Sequence, residues 1–191
     1  MRLFLSIPLS PAVMDALSVV QQQLVAAVGE EHLKLVKPTD FYCTLLSLGD
    51  RDASQWEGVV DASVVVAAAG QPFDVQLSSV KSFPKVGPAR TVLCPLVGSG
   101  LLACQHLVGV AEPWFIPMGV AKSSGLQPHI TLARVVPSGD GAHVAAALAG
   151  LSLDVSCVVD HIDLMETFLD PSGARHEVKL QFALGGGGDT A

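Results

Sequence analysis

Two stretches of the sequence decide its reading: DFYCTLLSLGD (Asp40–Asp50) and QPHITLAR (Gln127–Arg134). Each carries the pattern Tyr/His-x-Thr-Leu in an apolar run: Tyr42-Cys43-Thr44-Leu45 in the first, His129-Ile130-Thr131-Leu132 in the second. In a strand, residues two apart share a face. Tyr42 and Thr44 are therefore expected to point one way and Cys43 the other, and His129 and Thr131 likewise against Ile130. One such motif is weak, because threonine is common in strands. Two copies, one in each half of the chain, point to two related lobes whose polar side chains converge on one groove. A register slip that offered Cys43 instead would invert the faces of the whole strand.

Outward from these strands the chain alternates strands and helices. MRLFLSIPLS alternates as a strand (Leu3, Leu5, Ile7, Leu9) and lacks the long apolar run and cleavage site of a signal peptide. Ser10-Pro11 opens a helix as N-cap and first-turn proline. Val13, Leu17, Val20, Leu24 and Val28 line one face, and Gly29 closes it. The first motif predicts a strand over Phe41–Leu48. Ser54-Gln55-Trp56-Glu57 reads as a capping box for a second helix ending at Gly70. Strands are expected over Phe73–Val80, Arg90–Leu96 and His129–Val136, a third helix over Ser99–Ala111, and a short helix over Ala142–Leu148. Pro113 to Gln127 reads as a loop. The closing stretch from Cys157 reads as two strands around a Pro-Ser-Gly turn. The class is α+β with antiparallel or mixed sheets, in one bilobal domain over 1–184, and GGGGDTA (185–191) is a tail outside the fold.

Composition narrows the function. Of 191 residues, 50% are hydrophobic and 15% charged, so a large core is available. Mean hydropathy is +0.49, yet no apolar run reaches the ~18–20 residues of a membrane-spanning helix. The four cysteines are scattered without metal-binding spacing, as expected of reduced thiols in a cytoplasmic protein. Net charge is −7, which argues against broad nucleic-acid binding. Between Val75 and Gly139, however, Lys81, Lys85, Arg90, Lys122 and Arg134 face Glu112 as the only acid, so a local anion site is compatible with an acidic whole. Neither a dinucleotide-binding glycine motif nor a nucleotide-hydrolase phosphate loop is present.

The sequence resembles the two-histidine (2H) phosphoesterases, and within them the bacterial and archaeal RNA 2′,3′-cyclic phosphodiesterases, also called 2′-5′ RNA ligases. The resemblance runs through MRLFLSIPLSPAVMDAL, DFYCTLLSLGD, SFPKVGPARTVL, QPHITLAR and IDLMETFLDPSGARHEV, nearly the whole chain, and is most specific at QPHITLAR and the closing hairpin. It implies a fold of two pseudo-symmetric lobes about a groove, and opening of 2′,3′-cyclic phosphates on RNA ends or nucleotides to 2′-phosphates. It implies neither metal nor cofactor, and a monomer is expected. By the same resemblance His129 is the general base, Thr44 and Thr131 hold phosphate oxygens, and Arg134 is a phosphate or structural cation. The general acid of the first motif is a histidine in that family, and Tyr42 stands in its place.

Three readings of Tyr42 are open. It is a weak general acid, always in the donor state because a phenol titrates near ~10. Or the site binds RNA ends or nucleotides without turnover, Tyr42 bonding to or stacking on the ligand. Or Tyr42 merely fills the groove. His32 is a stand-in acid only if its loop folds back. His106, His143, His161 and His176 read as packing or surface residues, the last two pairing across the closing hairpin. Lys81, Lys85 and Arg90 are candidate phosphate contacts and Phe83 and Phe115 candidate base-stacking rings, with solvation and packing the plainer roles.

Overall fold

The first strand, β1 (Arg2–Ile7), lies in the middle of a ten-stranded sheet in the computed structural model, which describes residues 1–123, 127–170 and 173–186. There follow α1 (Pro11–Val28), β2 (Leu33–Leu35), β3 (Cys43–Asp50), α2 (Trp56–Ala69), β4 (Phe73–Leu77), β5 (Lys81–Phe83) and β6 (Thr91–Val97). The second half holds α3 (Gly98–Phe115), β7 (His129–Val135), α4 (Gly141–Ala147), β8 (Val155–Val159), β9 (His161–Asp170) and β10 (Gly173–Ala183). The sheet runs β10-β9-β1-β3-β7-β6-β4-β8, with β2 beside β7 and β5 beside β6. Every pairing is antiparallel. The expected α+β class is the observed one. The two four-stranded halves meet where β3 joins β7, at the pair Cys43 and Ile130.

The sheet curls strongly. In a flat sheet β10 and β3, separated by β9 and β1, would stand roughly 14 Å apart at ~4.8 Å per strand. Instead the ring of His176 on β10 comes within 5.6 Å of the ring of Tyr42, which precedes β3. The concave side is the groove, and α1 and α3 pack their apolar faces into the core on the other side. Val13, Leu17, Val20, Leu24 and Val28 of α1 are all buried, as their spacing predicts. Ser10 Oγ accepts a hydrogen bond from the Val13 N–H, Pro11 occupies the first turn, and Gly29 at φ 89° ends the helix. Gly100 lets α3 lie directly on β4, since a Cβ there would sit 2.6 Å from the Asp74 carbonyl oxygen.

Several boundaries differ from the sequence reading. The capping box before α2 is formed by Asp52 and Gln55, not Ser54 and Glu57; a 3₁₀ turn at Ala53–Gln55 precedes the helix. The expected strand Phe73–Val80 stops at Leu77, and β5 is a separate short strand. Helix α3 runs on to Phe115 with Pro113 in its last turn, where Pro113 still leaves Val120 N–H bonded to the Phe115 carbonyl. The closing stretch holds three strands rather than two. It breaks at Asp160, because β8 pairs with β4 in one half and β9 with β1 in the other. The Pro171-Ser172 part of the expected turn, residues 124–126 of the expected loop and 187–191 of the expected tail lie outside the described residues. Among those described, no helix is long and apolar enough to cross a membrane.

One polar residue sits on the apolar face of α1. Gln21 is 5% exposed, and its Nε2 donates to the carbonyls of Val36, at 2.8 Å, and Leu132, at 2.7 Å. It ties α1 to the segment before Tyr42 and to β7, the strand carrying His129. Gln21→Ala takes the amide donor from the Val36 carbonyl, while the Leu132 carbonyl keeps the Val36 N–H, and is expected to cost ~1–3 kcal/mol, read as a lower urea midpoint at unchanged slope. A Gln21→Ala midpoint equal to wild type would show that water replaces the amide there.

Candidate active site

The groove is built by the β3–β7 junction. Cys43 and Ile130 are paired and both fully buried, so they face the core. One step along an antiparallel ladder reverses the face. That step sets Thr44 opposite His129 and Tyr42 opposite Thr131, all four towards the concave side. Cys43 thus takes no part in the groove; the adjacent Cys104 thiol and full burial push its thiol well above the ordinary range. Tyr42 itself lies just before β3, which begins at Cys43 rather than at the expected Phe41.

Tyr42, Thr44, His129, Thr131 and Arg134 all line this one cavity, of about 930 Å³. Arg134 is there because of a bulge. Strict alternation from His129 and Thr131 would turn Arg134 into the core. On the partner strand Leu93 faces Thr131 and Val92 faces Ala133, so Leu132 is the extra residue. Leu132 and Ala133 are both buried in succession, and Arg134 returns to the groove. Lys34 lies opposite Arg134 on β2 and also lines the cavity, with Lys37.

His129 Nδ1 donates to the Gln127 carbonyl at 2.7 Å, since a carbonyl only accepts. The proton is thereby fixed on Nδ1, and Nε2 is left as the basic nitrogen. Tyr42 is half-buried. Its phenol is pushed up to about 12 by burial and by the Asp40 carboxylate, against the opposing pull of the Arg134 guanidinium. It is a neutral donor across the physiological range and a weak acid.

The other residues singled out in the sequence fall elsewhere. Lys81, Lys85 and Arg90 do not line the groove, and the Arg90 guanidinium lies 5.9 Å from the centre of the Phe83 ring. The cations that do line it are Lys34, Lys37, Arg51 and Arg134, and Arg51 is engaged with the carbonyls of Leu48 and Met118. Phe115 is fully buried, so it is a core residue and not a stacking ring. His32 Nδ1 accepts the Asp140 N–H at 3.1 Å, His106 Nε2 meets the Ala69 carbonyl at 3.2 Å, and His161 Nδ1 meets Asp160 at 2.6 Å; none lines the groove. His143 stands near His32, their ring centres 6.3 Å apart. His176, read from the sequence as a cross-strand packing residue, does both jobs: its Nδ1 lies 3.1 Å from Thr167 Oγ1 across the hairpin, and it lines the groove beside Tyr42. Nothing local marks it, because the curl that brings β10 over is a property of the whole sheet. Among the described residues no group of three His, Cys, Asp or Glu side chains is set to hold a metal ion.

Comparison with known proteins agrees with the fold. Residues 7–93 match the family model described as LigT like Phosphoesterase. A search of curated proteins finds no match. Among solved structures, a Thermus thermophilus protein is 24% identical with a TM-score of 0.80, covering 98% of this chain and 100% of its own. Escherichia coli LigT, solved in complex with 3′-AMP, is 18% identical with a TM-score of 0.72, over 96% of this chain and 97% of its own. The ns2 PDE domain of MHV is 18% identical with a TM-score of 0.55, over 85% of this chain and 96% of its own. Residues 7–93 thus carry the pattern of the LigT-like phosphoesterases, and the chain as a whole shares the fold of these solved structures.

Proposed function

We propose that this protein hydrolyses 2′,3′-cyclic phosphates on RNA ends or nucleotides to 2′-phosphates, without a metal, with His129 as general base. The observation that carries the reading is the bare Nε2 of His129 in a groove shared with Thr44, Thr131 and Arg134. A neutral imidazole takes a proton from water at pH 7. The attacking oxygen forms its bond to phosphorus as the bond to the 3′ oxygen breaks. The two hydroxyls and the guanidinium face the negative phosphate oxygens, where fixed donors lower the barrier. The nucleotides bound in E. coli LigT, 3′-AMP and in separate crystals NADP⁺ and ATP, support a nucleotide-sized ligand for this groove.

The second reading, a binding module for RNA ends or nucleotides without turnover, draws on Tyr42. A phenol near 12 protonates a departing oxygen much less well than an imidazolium, because acid catalysis follows donor strength. Incubation of the protein with 2′,3′-cyclic AMP, with product identified by chromatography, separates the two. The expected product is the 2′-phosphate, and Tyr42→Phe is expected to lower kcat by less than about tenfold. Saturable binding of the cyclic nucleotide with no product would establish the binding module. A 3′-phosphate product would show that the wrong bond had been assigned.

A further inference from the structure

We propose that His176 is the proton donor of this site, supplying from β10 the imidazole that the Asp40–Asp50 stretch lacks. The inference rests on the cyclic-phosphate reading above. Base catalysis by His129 accounts for one proton transfer, and expulsion of the 3′ oxygen calls for a second group that can both hold and give a proton near neutrality. Among the described residues lining the groove the imidazoles are His129 and His176. The remaining side-chain donors are phenol, hydroxyl, amide, ammonium and guanidinium groups, all far weaker acids than an imidazolium.

The position of His176 is fixed on several sides. Thr167 lies directly across the hairpin ladder, its Oγ1 3.1 Å from Nδ1. The Tyr42 ring stands 5.6 Å away at 81°, and the Phe4 ring 5.5 Å away at 86°, both edge-to-face contacts. Phe4 and Tyr42 in turn pack on each other at 5.2 Å. This three-ring cluster holds the imidazole against the residue that occupies the first-motif position. With Nδ1 engaged by Thr167, Nε2 is the nitrogen left to donate to a substrate in the groove that His176 lines. Tyr42 is then a wall that orients the acid, not the acid.

The step balances. Water loses a proton to His129 Nε2, and its oxygen bonds to phosphorus. The bond from phosphorus to the 3′ oxygen breaks, and that oxygen takes the proton of the His176 imidazolium. The two imidazoles end with exchanged protonation states and are reset by solvent, and the net change is addition of one water.

The test compares two substrates: a 2′,3′-cyclic nucleotide, and its analogue with sulfur in place of the 3′ bridging oxygen. A thiolate leaves without being protonated, so a missing acid matters only for the oxygen substrate. His176→Asn and His176→Gln are expected to lower kcat at least ~100-fold on the oxygen substrate and less than ~10-fold on the sulfur one. His129→Asn is expected to lower both substrates alike. A His176→Asn or His176→Gln rate within threefold of wild type on the oxygen substrate overturns the proposal. So does an equal loss on both substrates in variants that keep the wild-type melting temperature, which would make His176 structural. A wild type inert on both substrates removes the proposed function itself, and this inference with it. That outcome is separable, because wild type and the His129 variant would then not differ.

Discussion

His129→Ala is expected to lower kcat for 2′,3′-cyclic nucleotide hydrolysis by about 10²–10⁴-fold, the range over which general acid–base groups act. At ~1.4 kcal/mol per tenfold, that is ~3–5.5 kcal/mol of transition-state stabilisation. The size follows from the hydrogen bonding. The Gln127 carbonyl holds the proton on Nδ1 and so keeps Nε2 basic. Alanine removes the base and leaves nothing at that place that takes a proton. Thr44, Thr131 and Arg134 remain in the groove, so KM is expected to move only a few-fold. An interaction made only in the transition state lowers kcat and kcat/KM together. Steady-state assays across substrate concentration measure both. A variant that loses KM with kcat intact would mean that His129 binds phosphate and is not the base.

The largest expected stability effect is at a buried position further along the same strand. Leu132→Ala is expected to cost ~2–5 kcal/mol, a large share of the ~5–15 kcal/mol that holds a domain folded. Leu132 is fully buried, and it is the extra residue of the β7 bulge. Its carbonyl accepts from Val36 N–H at 2.9 Å and from Gln21 Nε2 at 2.7 Å, so the backbone there is pinned from two sides. Pinned surroundings relax little around a lost side chain, which places the cost towards the upper part of that range. Chemical denaturation of wild type and variant measures the difference. A loss under ~1 kcal/mol would show that the bulge collapses to fill the space. Because Arg134 reaches the groove only through this bulge, such a collapse would also shift the cation and appear in KM.

The two mutations sit three residues apart on one strand and are unequally legible. The alternation of His129, Ile130 and Thr131 is a local property of an extended chain, and it assigns their faces without further information. The same holds for α1, where five apolar residues at helical spacing and a Ser-Pro start define the buried face and the first turn. The alternation rule fails at Leu132, because a bulge arises between two strands and neither sequence carries it alone. The break at Asp160 has the same origin: β8 and β9 are adjacent in sequence but pair in different halves of the sheet. Of the groove cations, Arg134 is legible in the second motif, and Lys34, Lys37 and Arg51 escape the sequence for a related reason. Charge counted along the chain points to Lys81 and Lys85, whereas Lys34 reaches the site because β2 pairs with β7 opposite Arg134.

By itself the sequence determined the α+β class, the two Tyr/His-x-Thr segments and which of their residues share a face. These follow from periodicities of two and 3.6, which are set within a few residues. Only the tertiary structure decided which further groups stand in that groove. His176 lies far from both motifs in sequence and meets Tyr42 because twist and curl, summed over four strands, bring β10 round to β3. That curvature accumulates strand by strand through long-range pairing, so no local pattern around His176 could announce it.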